Sequence, residues 1–250
     1  MTFIGAAEAV RYHRRAAVLS ALSHDMNTPE NTVIAWHPVA RSADLRPGAN
    51  IVAGFAEGQE LALWRAADGT AQAWENRCPH RSVRFTLGQV IDNRLACAYH
   101  GWQYEAGSGQ CTSIPAHPAM QAPRNVCAKT FGTAEAAGML WVNLSPEAAP
   151  VPDELRDAVP TGWHFCRTLT VRASAATARA ALEHHGLTAA SQGWRGRLGG
   201  ADTVALVLDA QPGLAFIHLW TEAAPGSAAM KALHAAARQL RTEIEALPQG

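Results

Sequence analysis

Asn76-Arg77-Cys78-Pro79-His80-Arg81 and, after sixteen residues intervening from His80, Cys97-Ala98-Tyr99-His100-Gly101-Trp102 are the stretches on which the reading of this chain turns. Each offers one thiol and one imidazole, as C-x-H and then C-x-x-H. Two thiolates and two imidazoles suit either a tetrahedral zinc or a mixed-ligand iron–sulfur centre, with the Cys pair on one iron and the His pair on the other. Zinc knuckles more often use C-x-x-C, so ligand type and order favour iron. Pro79 stiffens the first loop, and Gly101 lets backbone come close to the metal.

The sequence around these loops reads as short strands and turns. Asn50–Gly54, Glu60–Arg65 and Ala71–Glu75 are expected strands, with Asp68-Gly69 a hairpin turn because both residue types tolerate positive φ. Cys78 and His80 then fall in the loop after a strand. Arg94–Cys97 and Trp102–Glu105 flank a tight loop carrying Cys97 and His100, and Ser108-Gly109 closes another hairpin. Val126–Thr130 and Met139–Asn143 are expected to complete an all-β unit.

Trp36-His37-Pro38-Val39-Ala40, the two Cys/His stretches, Ile114-Pro115-Ala116 and Gly138-Met139-Leu140-Trp141-Val142 together resemble successive landmarks of the Rieske domain of ring-hydroxylating and demethylating non-haem iron oxygenases. The resemblance runs from about Thr32 to Leu144. It implies an α+β chain: an all-β Rieske domain, then a small truncated α+β region resembling the oxygenase catalytic domain. The expected division is an N-terminal extension (1–31), the Rieske domain (32–145), a linker (146–164) and the truncated region (165–250). It implies a [2Fe–2S] cluster held by Cys78, His80, Cys97 and His100. Respiratory Rieske proteins join their two cluster loops by a disulfide; the matching positions here are Val83 and Tyr99. Trp102 stands where those proteins carry a hydroxyl. Fewer hydrogen bonds to the cluster sulfurs lower the potential, so the expectation is the low end of the Rieske range, about −150 mV.

Beyond the proline-punctuated linker, Phe165–Arg172 alternates like a strand, and Ser174–His185 reads as a helix that can end at Gly186. Gln192–Gly200 reads as a glycine- and arginine-rich loop. Thr203–Leu208 and Leu214–Trp220 form an expected hairpin across Pro212-Gly213. Ser227–Leu247 is a helix with Leu233, Ala237, Leu240, Ile244 and Leu247 on one face. In the resembled family this region holds a mononuclear Fe(II) on two His and a carboxylate, the two His coming from a D-x-x-H-x-x-x-x-H helix motif. Here His184 stands at the first His position, Ala189 at the second, and Ala181 at the acid that bridges neighbouring subunits. Starting from His185 instead leaves Ala190 as the second ligand. Alanine cannot coordinate metal, so the mononuclear centre is expected to be lost, with His184 as its remnant.

With 21 basic and 21 acidic residues the formal net charge is zero, and no Lys/Arg run is present, which argues against a nucleic-acid binder held by charge. No run approaches eighteen apolar residues, so no membrane span is expected. Cys111, Cys127 and Cys166 form no spaced framework, which points to a reducing compartment and a cytoplasmic protein. Ala6–Leu22 is expected to be a helical or disordered extension, or to precede a true start at Met26. Its Arg14-Arg15 pair lacks the long apolar run and cleavage site of an export signal. The functional expectation is an electron-transfer or partner subunit of a Rieske-type oxygenase system. It would take electrons from a reductase or ferredoxin toward a catalytic oxygenase subunit or within a homo-oligomer; the resemblance implies trimers with head-to-tail neighbours. The alternatives are a self-sufficient hydroxylase or demethylase with an unorthodox iron site assembled from Glu183, His184, His218 or a partner chain, and a structural zinc module.

Overall fold

The computed structural model describes residues 36–145, 150–190 and 192–247; the Ala6–Leu22 segment and Arg14-Arg15 lie outside them. Among the described residues no helix is long and apolar enough to cross a membrane.

Three antiparallel sheets make up the fold. β1 (Trp36–Arg41), β2 (Ile51–Ala56), β3 (Gln59–Arg65), β4 (Ala71–Glu75), β9 (Thr130–Ala136) and β10 (Met139–Asn143) form a six-stranded sheet in the order β1-β10-β9-β4-β3-β2. β5 (Gln89–Ile91), β6 (Arg94–Ala96), β7 (Gln103–Glu105) and β8 (Cys111–Ser113) form a smaller sheet in chain order. β11 (His164–Val171), β12 (Thr188–Ala190), β13 (Gly193–Leu198), β14 (Ala201–Gln211) and β15 (Leu214–Thr221) form the third, ordered β11-β15-β14-β13-β12. It is accompanied by helices α1 (Ala175–His184) and α2 (Ala228–Ala246).

Local chemistry explains most of these elements. The β3–β4 turn is closed where Thr70 N–H donates to the Asp68 carboxylate at 2.8 Å, and Gly69 takes φ +93°. Ser174 caps α1 by accepting from Thr177 N–H, and Gly186 at φ +81° turns the chain away from the helix end. Ser227 caps α2 in the same way through Met230 N–H. One face of α2 buries Leu233, Ala237, Leu240 and Ile244 completely, whereas Leu247, expected on that stripe, is 43% exposed past the helix end.

A column of fully buried rings joins the large sheet to the small one. Trp64 meets Trp74 edge-on at 5.0 Å, Trp74 meets Phe85 at 5.6 Å, and Phe85 meets Tyr104 at 5.3 Å. Such edge-to-face pairs fix ring positions as well as bury area. The column sets the floor beneath the two loops that carry the Cys and His residues.

Several expectations need correction. Val126–Thr130 is not a strand: Cys127 makes an isolated bridge with Gln110, and the strand begins at Thr130. Gln192–Gly200 is not a loop, because Gly193–Leu198 is β13, paired with β12 and β14. The segment expected to be a linker also packs: Leu155, Ala158 and Val159 are buried with Trp36, Trp141 and Trp220.

Candidate metal centre

The two Cys/His loops have the same backbone construction. Cys78 N–H donates to the Val83 carbonyl (2.9 Å) and Ser82 N–H to the Cys78 carbonyl (2.7 Å). In the second loop Cys97 N–H donates to the Trp102 carbonyl (2.9 Å) and Gly101 N–H to the Cys97 carbonyl (3.0 Å). Each loop therefore closes on the fifth residue after its cysteine, and the fourth is left-handed: Ser82 at φ +57° and Gly101 at φ +68°. Within this shared frame one His sits two residues after its Cys and the other three.

The first loop is anchored by Asn76, which is fully buried. Its side-chain amide donates to Glu60 and Thr86, both at 3.0 Å, and its oxygen accepts from Thr86 N–H. Glu60 also pairs with Arg84 at 2.8 Å and Arg77 at 3.6 Å. Arg81 is exposed and has no ion pair among the described residues.

At the tip, the thiols face inward and the imidazoles outward. Cys78 and Cys97 are buried, 3% and 4% exposed, and neither is in a disulfide. Burial pushes the Cys97 thiol up, while the Tyr99 and His100 amides beside its sulfur favour the thiolate. His100 is exposed and His80 half-buried, and their Nδ1 atoms lie 3.2 Å apart. Burial, then the neighbouring His100 and Arg81, hold His80 below its ordinary pKa. Trp102 lies flat on His80, centroids 4.1 Å apart and planes 6° apart, and Tyr99 leans on His100 at 3.9 Å. The same nitrogen of each imidazole thus faces the other across the two loop tips. Among the described residues no group of three or more His, Cys, Asp or Glu is placed to hold a metal ion.

The sequence profile of the Rieske [2Fe–2S] domain matches residues 35–130, the span that holds both loops. This chain carries a Rieske [2Fe–2S] domain. Its cofactor is accordingly the [2Fe–2S] cluster, and its relatives are Rieske-type oxidoreductases and oxygenases. It is 42% identical over 134 residues to the oxidoreductase NdmD of Pseudomonas putida, covering 52% of this chain and 23% of NdmD. It is 41% identical over 98 residues to the chloroplastic protein TIC 55 of Arabidopsis thaliana, covering 39% of this chain and 18% of that protein. The chain thus spans a quarter or less of either relative's length. The solved structure of Pseudomonas putida NdmA superposes with a TM-score of 0.62 at 20% identity, over 87% of this chain and 82% of that one. At that identity the likeness is one of fold, and it extends past the Rieske domain into the third sheet.

A functional residue that the sequence reading missed is Tyr104. Its hydroxyl, buried on β7, lies 3.2 Å from the Cys78 sulfur. Burial first, then the Cys78 sulfur, push its pKa up, so it keeps its proton and can donate. The signal was present: Tyr104 lies two residues beyond Trp102, the side-chain period of a strand.

In the third-sheet half, His184 is the last residue of α1 and is exposed. Ala189, in the position of a second His ligand, lies on β12 and not on the helix. His185 Nε2 meets the Glu243 carboxylate at 2.6 Å. His218 is buried on β15, with Nδ1 at 2.9 Å from the Thr168 hydroxyl. These donors do not converge as a group of three. The helix-facing side of the sheet is packed shut by Leu169, Val171, Ile217 and Leu219 against Leu233, Leu240 and Ile244.

Proposed function

We propose that Cys78 and Cys97 hold one iron of the cluster and His80 and His100 the other. The chain then serves as an electron-transfer or partner subunit of a Rieske-type oxygenase system. It takes one electron at a time from a reductase or ferredoxin and delivers it to a mononuclear-iron catalytic chain. A bound [2Fe–2S] cluster supplies one-electron storage at the tip. The protein's own residues do the rest. The buried thiols and the aromatic column exclude water from the sulfur side. Trp102 fixes the His80 ring, and Tyr104 donates to the Cys78 sulfur. The imidazoles at the loop tips shorten the path to a docked partner. In this division residues 32–145 carry the redox centre and 165–250 serve docking.

The observation that carries the proposal is the contrast between the two halves. One carries two buried thiols and two imidazoles on matched loops, with the imidazole Nδ1 atoms 3.2 Å apart; the other presents a closed apolar core, with Ala189 where a second His ligand would stand and Ala181 where the bridging acid would. The test is oxygen uptake with a reductase, alone and with a separate catalytic chain. Electron delivery without substrate turnover by this chain alone is expected. Stoichiometric product formation by this chain alone overturns the reading.

A self-sufficient oxygenase has one observation in its favour. His184, His185 and Glu243, two imidazoles and a carboxylate, line one cavity of about 530 Å³. A third iron per chain, lost in H184A, would establish it.

A further inference from the structure

The seam between the large sheet and the third sheet holds a half-open cavity of about 340 Å³, lined by Trp36, Trp141, Trp194, Glu57, Asp209 and Arg179. It lies at the small end of the range for small-molecule sites. The β2–β3 turn places its acids. Glu57 and Gly58 are both left-handed, φ +48° and +83°, a conformation that disfavours glutamate at the first position. The turn is held there by the seam itself: Glu57 N–H donates to the Asp209 carbonyl at 2.7 Å, and Gly58 N–H to the Ala210 carbonyl at 2.9 Å. A strained turn thus brings a second carboxylate beside Asp209.

The charges around this cavity are not used by one another. Among the described residues, Asp209 and Arg179 have no ion pair at all. Glu57 meets only His37, at 3.7 Å. Burial keeps His37 below its ordinary pKa against the pull of Glu57 and Asp209, so it is neutral and does not cancel them. Arg179 projects from α1, 5.8 Å above the Trp194 ring. The Trp36 indole N–H is buried with no acceptor. Two carboxylates would repel an anion, and the guanidinium would repel a simple cation. Indole faces favour an ammonium group. No three donors converge for a metal. We propose that this seam cavity binds a small zwitterion, with its ammonium group between Glu57, Asp209 and the indoles and its carboxylate on Arg179.

The test uses the full chain with its cluster and follows tryptophan fluorescence and calorimetry. The probes are glycine betaine and γ-aminobutyrate, choline as the cation alone, and tert-butylacetate as the carbon analogue of betaine. At least one zwitterion is expected to bind saturably, about fivefold more tightly than choline or tert-butylacetate, the upper worth of a partly exposed charge contact. R179Q should bring betaine down to the choline level, and E57Q should erase the preference for betaine over tert-butylacetate. Unchanged melting and visible spectra establish that the variants are folded; R179Q, on the exposed face of α1, decides the matter if E57Q does not fold. No saturable binding of either zwitterion, equal binding of choline or tert-butylacetate, or unchanged affinity in R179Q overturns the proposal.

Discussion

Replacing Tyr104 with phenylalanine removes one hydroxyl and leaves the ring. The hydroxyl lies 3.2 Å from the Cys78 sulfur, and the ring keeps its edge contact with Phe85 at 5.3 Å. Fold and cluster content should therefore survive. A donor on a cysteine sulfur stabilises the reduced, more negative cluster more than the oxidised one. Taking that difference as about 1 kcal/mol, near the net worth of one hydrogen bond, and 59 mV per factor of ten for one electron, Y104F should lower the potential by about 40 mV. The assay is a mediated redox titration followed by circular dichroism or by the spin signal of the reduced state. An unchanged or raised potential with an intact cluster would refute the reasoning. The same bond acts against the low potential expected from Trp102, since it adds a donor that the sequence reading did not count.

Other outcomes follow from the same geometry. W102A removes the ring stacked on His80; with such contacts worth about 1 kcal/mol, cluster bleaching in the presence of a chelator should run about fivefold faster. L240A opens a cavity in the core of α2 and the third sheet, and should cost roughly 2–5 kcal/mol by denaturant melting while the visible spectrum of the native protein stays unchanged. Burial pushes His218 down to about 4, outweighing the Pro38 carbonyl beside it. Below the ordinary histidine pKa the unfolded chain binds a proton that the folded chain refuses. Stability should thus fall as pH drops from about 6.5 toward 4, by an amount on the order of 3 kcal/mol. H218Q should flatten that acid limb in melts taken across this range; an unchanged slope counts against it.

The Cys/His loops were legible because ligand chemistry fixes short spacings and turn residues together. The α1 boundaries were legible for a similar reason: Ser174 and Gly186 act on neighbouring backbone. β13 was not, because its glycines suggest a loop. A Cβ on Gly193 would come within 2.9 Å of the Ala205 carbonyl, and one on Gly196 within 2.9 Å of the Gly186 carbonyl and Leu187 backbone. Those glycines allow close packing within a strand, and the cause lies in other segments of the chain. Val126–Thr130 failed in the opposite sense: its short apolar run Val126-Cys127-Ala128 suggests a strand, yet Cys127 finds only a single bridge partner. The link from Tyr104 to Cys78 and the Glu57–Asp209 seam depend on contacts between distant segments, which local pattern does not encode.

The most direct measurement is the iron and acid-labile sulfide content of anaerobically purified protein, taken with its low-temperature spin spectrum after reduction. The donor set at Cys78, His80, Cys97 and His100 predicts two irons and two sulfides per chain with a Rieske-type signal. One zinc with no sulfide, or a cluster signal that persists when His80 and His100 are both replaced by alanine, would contradict it.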